Sequence, residues 1–144
     1  MDTNERLAIE AECTKLVNQF SWCTDTFAYD EAMALFVPDC TFGRADETVE
    51  GLAGLRSFLD RRSTERRTCH IVSGIVIDVI DSDNAEGKAH SLVFGYRGAP
   101  DANGEVPLSS PDSIVRYEAR FRRTEAGWRI AKWHIGLNFR KQAA

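Results

Sequence analysis

From residue 68 to near the end of the chain, apolar and polar positions alternate with a period of two. Four stretches carry the pattern: 68–79, 85–98, 113–124 and 128–139. In the third, Val115, Tyr117, Ala119 and Phe121 alternate with Arg116, Glu118, Arg120 and Arg122, so the spacing predicts a strand with one core face and one wet face. In the first, Ile71, Val72, Ile75, Val76, Ile77 and Val79 are mostly β-branched, which suits a central, largely buried strand. Residues 81–84 and 125–127 read as turns short enough for antiparallel hairpins. Between the second and third strands, residues 97–112 are rich in Gly, Pro, Asp and Ser. A connection of that length is expected at the rim of a binding site.

Upstream, the period is helical. Ile9, Cys13, Leu16, Val17, Phe20, Cys23 and Phe27 recur on one face of a long first helix, with Asp2 as its cap and Glu5 placed to complete a capping box. Trp22, Thr24 and Asp25 fall in its last turns. A carboxylate there meets the negative end of the helix dipole, so Asp25 is either solvated at a fraying end or aimed into a pocket. Asp30 reads as the cap of a short second helix through Ala32, Met33, Leu35 and Phe36, closed by Pro38. Residues 40–44 and 48–50 form a small hairpin, and after Gly51 the positions Leu52, Leu55, Phe58 and Leu59 mark a third helix. Arg56, Arg61, Arg62, Arg66 and Arg67, on its far face and exit, read as a solvated arginine run.

The 144 residues are expected to form one domain, 1–144. A formal net charge of −4 gives no general attraction to nucleic acid or to an anionic membrane. No basic leader with an apolar core opens the chain, and no run approaches the roughly 20 apolar residues of a membrane span, so a cytoplasmic location is expected. Cys13, Cys23, Cys40 and Cys69 lack the paired spacing of a zinc site and read as reduced core residues. His70, His90 and His134 likewise lack ligand spacing, so no metal and no cofactor is expected.

His70 enters the most apolar strand at its polar end, and imidazole is the side chain suited to exchanging protons near neutral pH. Strict alternation sets His70 and Val72 on the face opposite Ile71, Ile75, Ile77 and Val79. A β-bulge near Ser73 and Gly74 is therefore predicted, because one extra residue brings His70 and the later apolar residues to the same side.

Residues 20–25, then Asp30, Leu35, Phe36, Asp39, Cys40, Thr41 and Phe42, then Gly51, Leu55, Phe58 and His70, and finally residues 127–131 together resemble the SnoaL-like branch of the nuclear transport factor 2-like superfamily. The resemblance covers nearly the whole chain. It implies an α+β cone: three N-terminal helices packed on a strongly curved, mainly antiparallel sheet enclosing a pocket. Dehydratase members such as scytalone dehydratase use an aspartate near the end of the first helix with a histidine early in the central strand, positions that match Asp25 and His70. The resemblance thus implies a cofactor-independent, dehydratase-like lyase or isomerase acting on a moderately apolar, cyclic small molecule. His70 would exchange the proton, and Asp25 would fix its tautomer and stabilise its cation.

Trp22, Phe20, Phe27, Tyr96, Tyr117, His134 and Asn138 are the expected pocket residues. Some relatives carry a tyrosine where this chain has Phe20, and the segment 91–95 lacks the second pocket histidine of scytalone dehydratase. Tyr96, Tyr117 and Asn138 remain as donors to polarise a carbonyl. The alternative is a non-catalytic small-molecule-binding or assembly module on the same fold. The resemblance also implies a homodimer or homotrimer formed through the outer face of the sheet.

Overall fold

The computed structural model describes residues 1–143. Its elements run α1 (Thr3–Asp25), α2 (Tyr29–Met33), β1 (Phe36–Arg44), β2 (Glu47–Glu50), α3 (Gly51–Asp60), β3 (Arg66–Val79), β4 (Asn84–Arg97), β5 (Ser113–Thr124) and β6 (Gly127–Arg140). Among the described residues six strands form one curved sheet in the order β2-β1-β6-β5-β4-β3, in which only the β1–β6 pair is parallel. The mixed α+β architecture is the one expected. No helix is long and apolar enough to cross a membrane among the described residues.

The capping box forms as the sequence dictates. Asp2 accepts from the Glu5 backbone N–H, and the Glu5 carboxylate accepts from the Asp2 backbone N–H. From that fixed start α1 runs across the concave face of the sheet, burying Ile9, Cys13, Leu16, Val17 and Phe20. Phe20 meets Phe36 and Trp133 edge-on, each at 5.0 Å between ring centroids, a geometry that aligns ring edges with ring faces.

The predicted bulge lies in β3. Ser73 pairs with His90 and Val76 with Lys88, so Gly74 and Ile75 together face the single Ala89. Gly74 has φ +62°, a left-handed conformation that costs a residue with a Cβ. With the phase corrected there, Val72, Ile75, Ile77 and Val79 all pack against the core.

Several local expectations change. The second helix ends at Met33, and Phe36 and Pro38 belong to β1 instead. Pro38 is tolerated there because β1's pairing with β6 is interrupted between Phe36 and Thr41, where no ladder donor is needed. Asp30 does not cap α2: it lies in the first turn, and its carboxylate pairs with Arg56 at 2.5 Å. Cys13, Cys23 and Cys40 are buried free thiols, whereas Cys69 is exposed because it alternates with His70 on β3. Burial, with help from Glu12, pushes the Cys13 thiol up to about 12. The middle of the 97–112 connection is not at the inner rim. Val106, Pro107, Leu108 and Ser109 instead bound an outer cleft with Cys69, Ile71, Phe94 and Tyr96.

Candidate active site

The concave side of the sheet holds a cavity of about 350 Å³, whose apolar wall includes Phe20, Phe42, Phe58, Tyr117 and Trp133. That is the lower end of the range for small-molecule sites. Phe42 and Phe58 pack at 4.7 Å between centroids, as do Tyr117 and Trp133. His70 also lines this cavity.

Two elements distant in sequence build the polar corner. Asp25 is the last residue of α1, and His70 lies on β3. One carboxylate oxygen of Asp25 accepts from the His70 backbone N–H at 2.8 Å. The other accepts from the Thr68 hydroxyl at 2.8 Å and lies 2.5 Å from His70 Nδ1. The side chains of His70 and Asp25 are 14% and 16% exposed, so both are largely withdrawn from water. Burial pushes the Asp25 carboxyl up, but the ring hydrogen bond and charge of His70, its backbone N–H and the Thr68 hydroxyl outweigh it. The carboxyl is therefore held below its ordinary value. These donors also answer the misplaced charge at the end of α1, since they stabilise a carboxylate that the helix dipole disfavours. With Nδ1 as the donor to Asp25, the lone pair of the imidazole is on Nε2.

Arg62 completes the corner. It donates to the Thr24 carbonyl at 2.7 Å, the Tyr29 hydroxyl at 2.9 Å and Thr68 Oγ1 at 3.1 Å. Thr68 thus accepts from Arg62 and donates to Asp25, which gives the hydroxyl a single orientation. The solvated-run reading of the arginines fails for Arg62 and Arg66, which are half-buried and line the cavity. Charge patterning alone carries no signal for this, because a run of like residues has no apolar phase to indicate which of them turns inward.

Of the expected pocket residues, Phe20 and Tyr117 line the cavity. Burial raises the Tyr117 phenol, with the Ser91 and Ser21 hydroxyls and the Arg62 charge partly opposing this, so it remains a protonated donor. The other five lie elsewhere. Trp22 is 72% exposed on the outward side of α1. Phe27 packs on Tyr29 at 6.1 Å and carries the Arg62 guanidinium above its ring at 5.8 Å, so it backs the corner without lining the cavity. Tyr96 lines the outer cleft, because it is out of phase with the cavity-lining Val93 on β4. His134 pairs across the sheet with Glu118, whose side of β5 is exposed. Asn138 is the exposed extra residue where β6 slips register against Ile114 and Val115. Among the described residues, no three His, Cys, Asp or Glu side chains converge as a metal site would require.

A helix laid across a curved six-stranded sheet, with His70 on the wall of the enclosed cavity and Asp25 behind it, defines the class of small α+β pocket proteins. The chain belongs to the SnoaL-like domain family, whose profile matches residues 5–134, within the nuclear transport factor 2-like superfamily. No curated protein sequence matches it. Among solved structures it is similar to a provisionally assigned scytalone dehydratase from Novosphingobium aromaticivorans, with 19% identity, a TM-score of 0.82, and coverage of 99% of this chain and 93% of that one. It is also similar to a hexachlorocyclohexane dehydrochlorinase from Novosphingobium barchaimii, with 16% identity, a TM-score of 0.80, and coverage of 99% and 95%. A nuclear transport factor 2-like protein from N. aromaticivorans aligns at 21% identity with a TM-score of 0.74, covering 91% and 82%.

Proposed function

We propose that the protein is a cofactor-independent lyase or isomerase in which Asp25 and His70 form the acid–base pair. The observation that carries this reading is the doubly anchored contact between them at the cavity wall, 2.8 Å to the backbone nitrogen and 2.5 Å to the ring nitrogen. The dehydratase and dehydrochlorinase names of two structural neighbours support elimination as the reaction type. In the proposed cycle, His70 Nε2 takes a proton from a carbon next to a carbonyl. The electron pair of the broken C–H bond forms a C=C bond as a β-hydroxyl departs, and the imidazolium returns the proton to the leaving oxygen, releasing water. Isomerisation uses the same first step and returns the proton to a different carbon. Asp25 holds Nδ1–H and stabilises the imidazolium, and the Tyr117 phenol supplies a hydrogen bond within the same cavity. The substrate is a moderately apolar ring compound matched to the aromatic wall.

The test is deuterium exchange. Cyclic ketones incubated with the protein in D2O are expected to gain deuterium next to the carbonyl, with exchange abolished in His70→Gln and strongly reduced in Asp25→Asn. Exchange that persists unchanged in both variants overturns the assignment. In parallel, ¹⁵N NMR should find the His70 ring in the Nδ1–H tautomer in the unmodified protein and in mixed tautomers in Asp25→Asn.

A further inference from the structure

The cavity wall is far more positive than the chain. Arg44, Arg61, Arg62, Arg66 and Arg97 line it, with Glu47 as its one carboxylate, in a protein whose formal net charge is −4. Two of the five are neutralised: Arg61 pairs with Glu47, and Arg66 lies 3.2 Å from Asp112. Among the described residues, Arg44, Arg62 and Arg97 have no carboxylate partner.

Arg62 matters most because it is half-buried, and its three hydrogen bonds go to a carbonyl and two hydroxyls, none of which carries charge. Asp25 is reached only through the Thr68 hydroxyl and is already bound by His70, so Arg62 has no direct ion pair, and an oxyanion entering the cavity supplies one. Cations on a cleft wall also focus potential into the opening. The same cavity is aromatic at Phe20, Phe42, Phe58 and Trp133, so it offers an apolar compartment and a cationic one to a single occupant.

We infer that the cavity takes an organic oxyanion, an apolar ring system bearing a carboxylate or sulfonate. The ring lies against the aromatic wall beside His70, and the anion is held by Arg62 and Arg97. The planar guanidinium fork matches an oxyanion through two parallel hydrogen bonds. This rests on the proposed function only in taking this cavity as the substrate site.

A matched pair of fluorescent probes tests it. 8-Anilinonaphthalene-1-sulfonate and N-phenyl-1-naphthylamine share one aromatic body and differ by the sulfonate. The anionic probe is expected to bind about ten-fold tighter at low salt, the equivalent of one charge-assisted hydrogen bond. Its advantage should shrink as ionic strength rises, and its binding should move the His70 ring signals in NMR. Arg62→Gln and Arg97→Gln should each reduce the advantage, and Arg62→Lys should retain much of it. Arg97 is exposed and makes no side-chain hydrogen bond among the described residues, so its variant reads the charge without disturbing the corner that Arg62 holds. Equal binding of the two probes overturns the inference. So does an advantage that survives both glutamine substitutions, or binding of the anionic probe that leaves His70 unmoved. Deuterium exchange on neutral ketones without any anion preference would overturn this inference alone and leave the Asp25–His70 reading standing.

Discussion

Asp25 binds His70 twice, through the backbone nitrogen and through the ring nitrogen, from a position 45 residues away in sequence. The backbone contact fixes where β3 stands against the end of α1, and the ring contact fixes the imidazole's orientation. Because one carboxylate does both, the position of the strand and the state of the base are coupled.

That coupling predicts strong non-additivity. His70→Gln is expected to lower turnover by about 10²–10⁴, and Asp25→Asn by a smaller factor. The double variant should be no slower than His70→Gln alone, because residues that act as a unit do not contribute separately. Turnover of the best exchanging ketone in the four proteins checks this.

Acid stability carries the second signature. Asp25 has a folded value below the ordinary 3.8. Its contribution is therefore fully present above 3.8 and is lost as pH falls from there through the folded value. Urea midpoints of the unmodified protein and Asp25→Asn should differ most above that point and converge below it. A difference constant across that range would contradict the anchoring role.

Gly74→Ala is expected to destabilise the protein by about 1–2 kcal/mol, the cost of a left-handed backbone with a Cβ. Steric crowding adds little, because the nearest atom to an added Cβ is His90 Nδ1 at 3.9 Å. Urea denaturation measures the loss, and the His70 tautomer should be unchanged if the bulge survives.

Trp22→Ala should change stability by no more than about 0.5 kcal/mol and leave probe binding intact, as for other exposed positions. Trp133→Ala, at a residue 1% exposed, should cost about 3–5 kcal/mol. Thermal melts of the two variants separate the outward tryptophan from the cavity wall.

The sequence was most legible where two signals disagreed. Alternation and hydrophobicity conflicted across Ser73 and Gly74, and a bulge was the resolution that kept both. Asp25 stood at the unfavourable end of a helix, and the conflict pointed to a partner. Legibility failed where one signal stood alone. Pro38 read as a helix stop because nothing in the sequence shows that β1 loses its neighbour there. Tyr96, His134 and Asn138 have the chemistry of pocket donors, but strand parity and a slipped register turn them away from the cavity. Arg62 was hidden among equivalent arginines, and only the packing of α3's exit against α1 distinguishes it.

Because β3 lies at the end of the sheet, the His70 N–H that reaches Asp25 is one an absent seventh strand would otherwise have taken. The carboxylate occupies that strand's place. One side chain thus ends the sheet's hydrogen-bond ladder at the point where the chemistry is proposed to occur. A substitution that empties the position, such as Asp25→Gly, leaves that donor without a partner in a corner largely withdrawn from water. Its first consequence is a loss of stability, before any question of turnover arises.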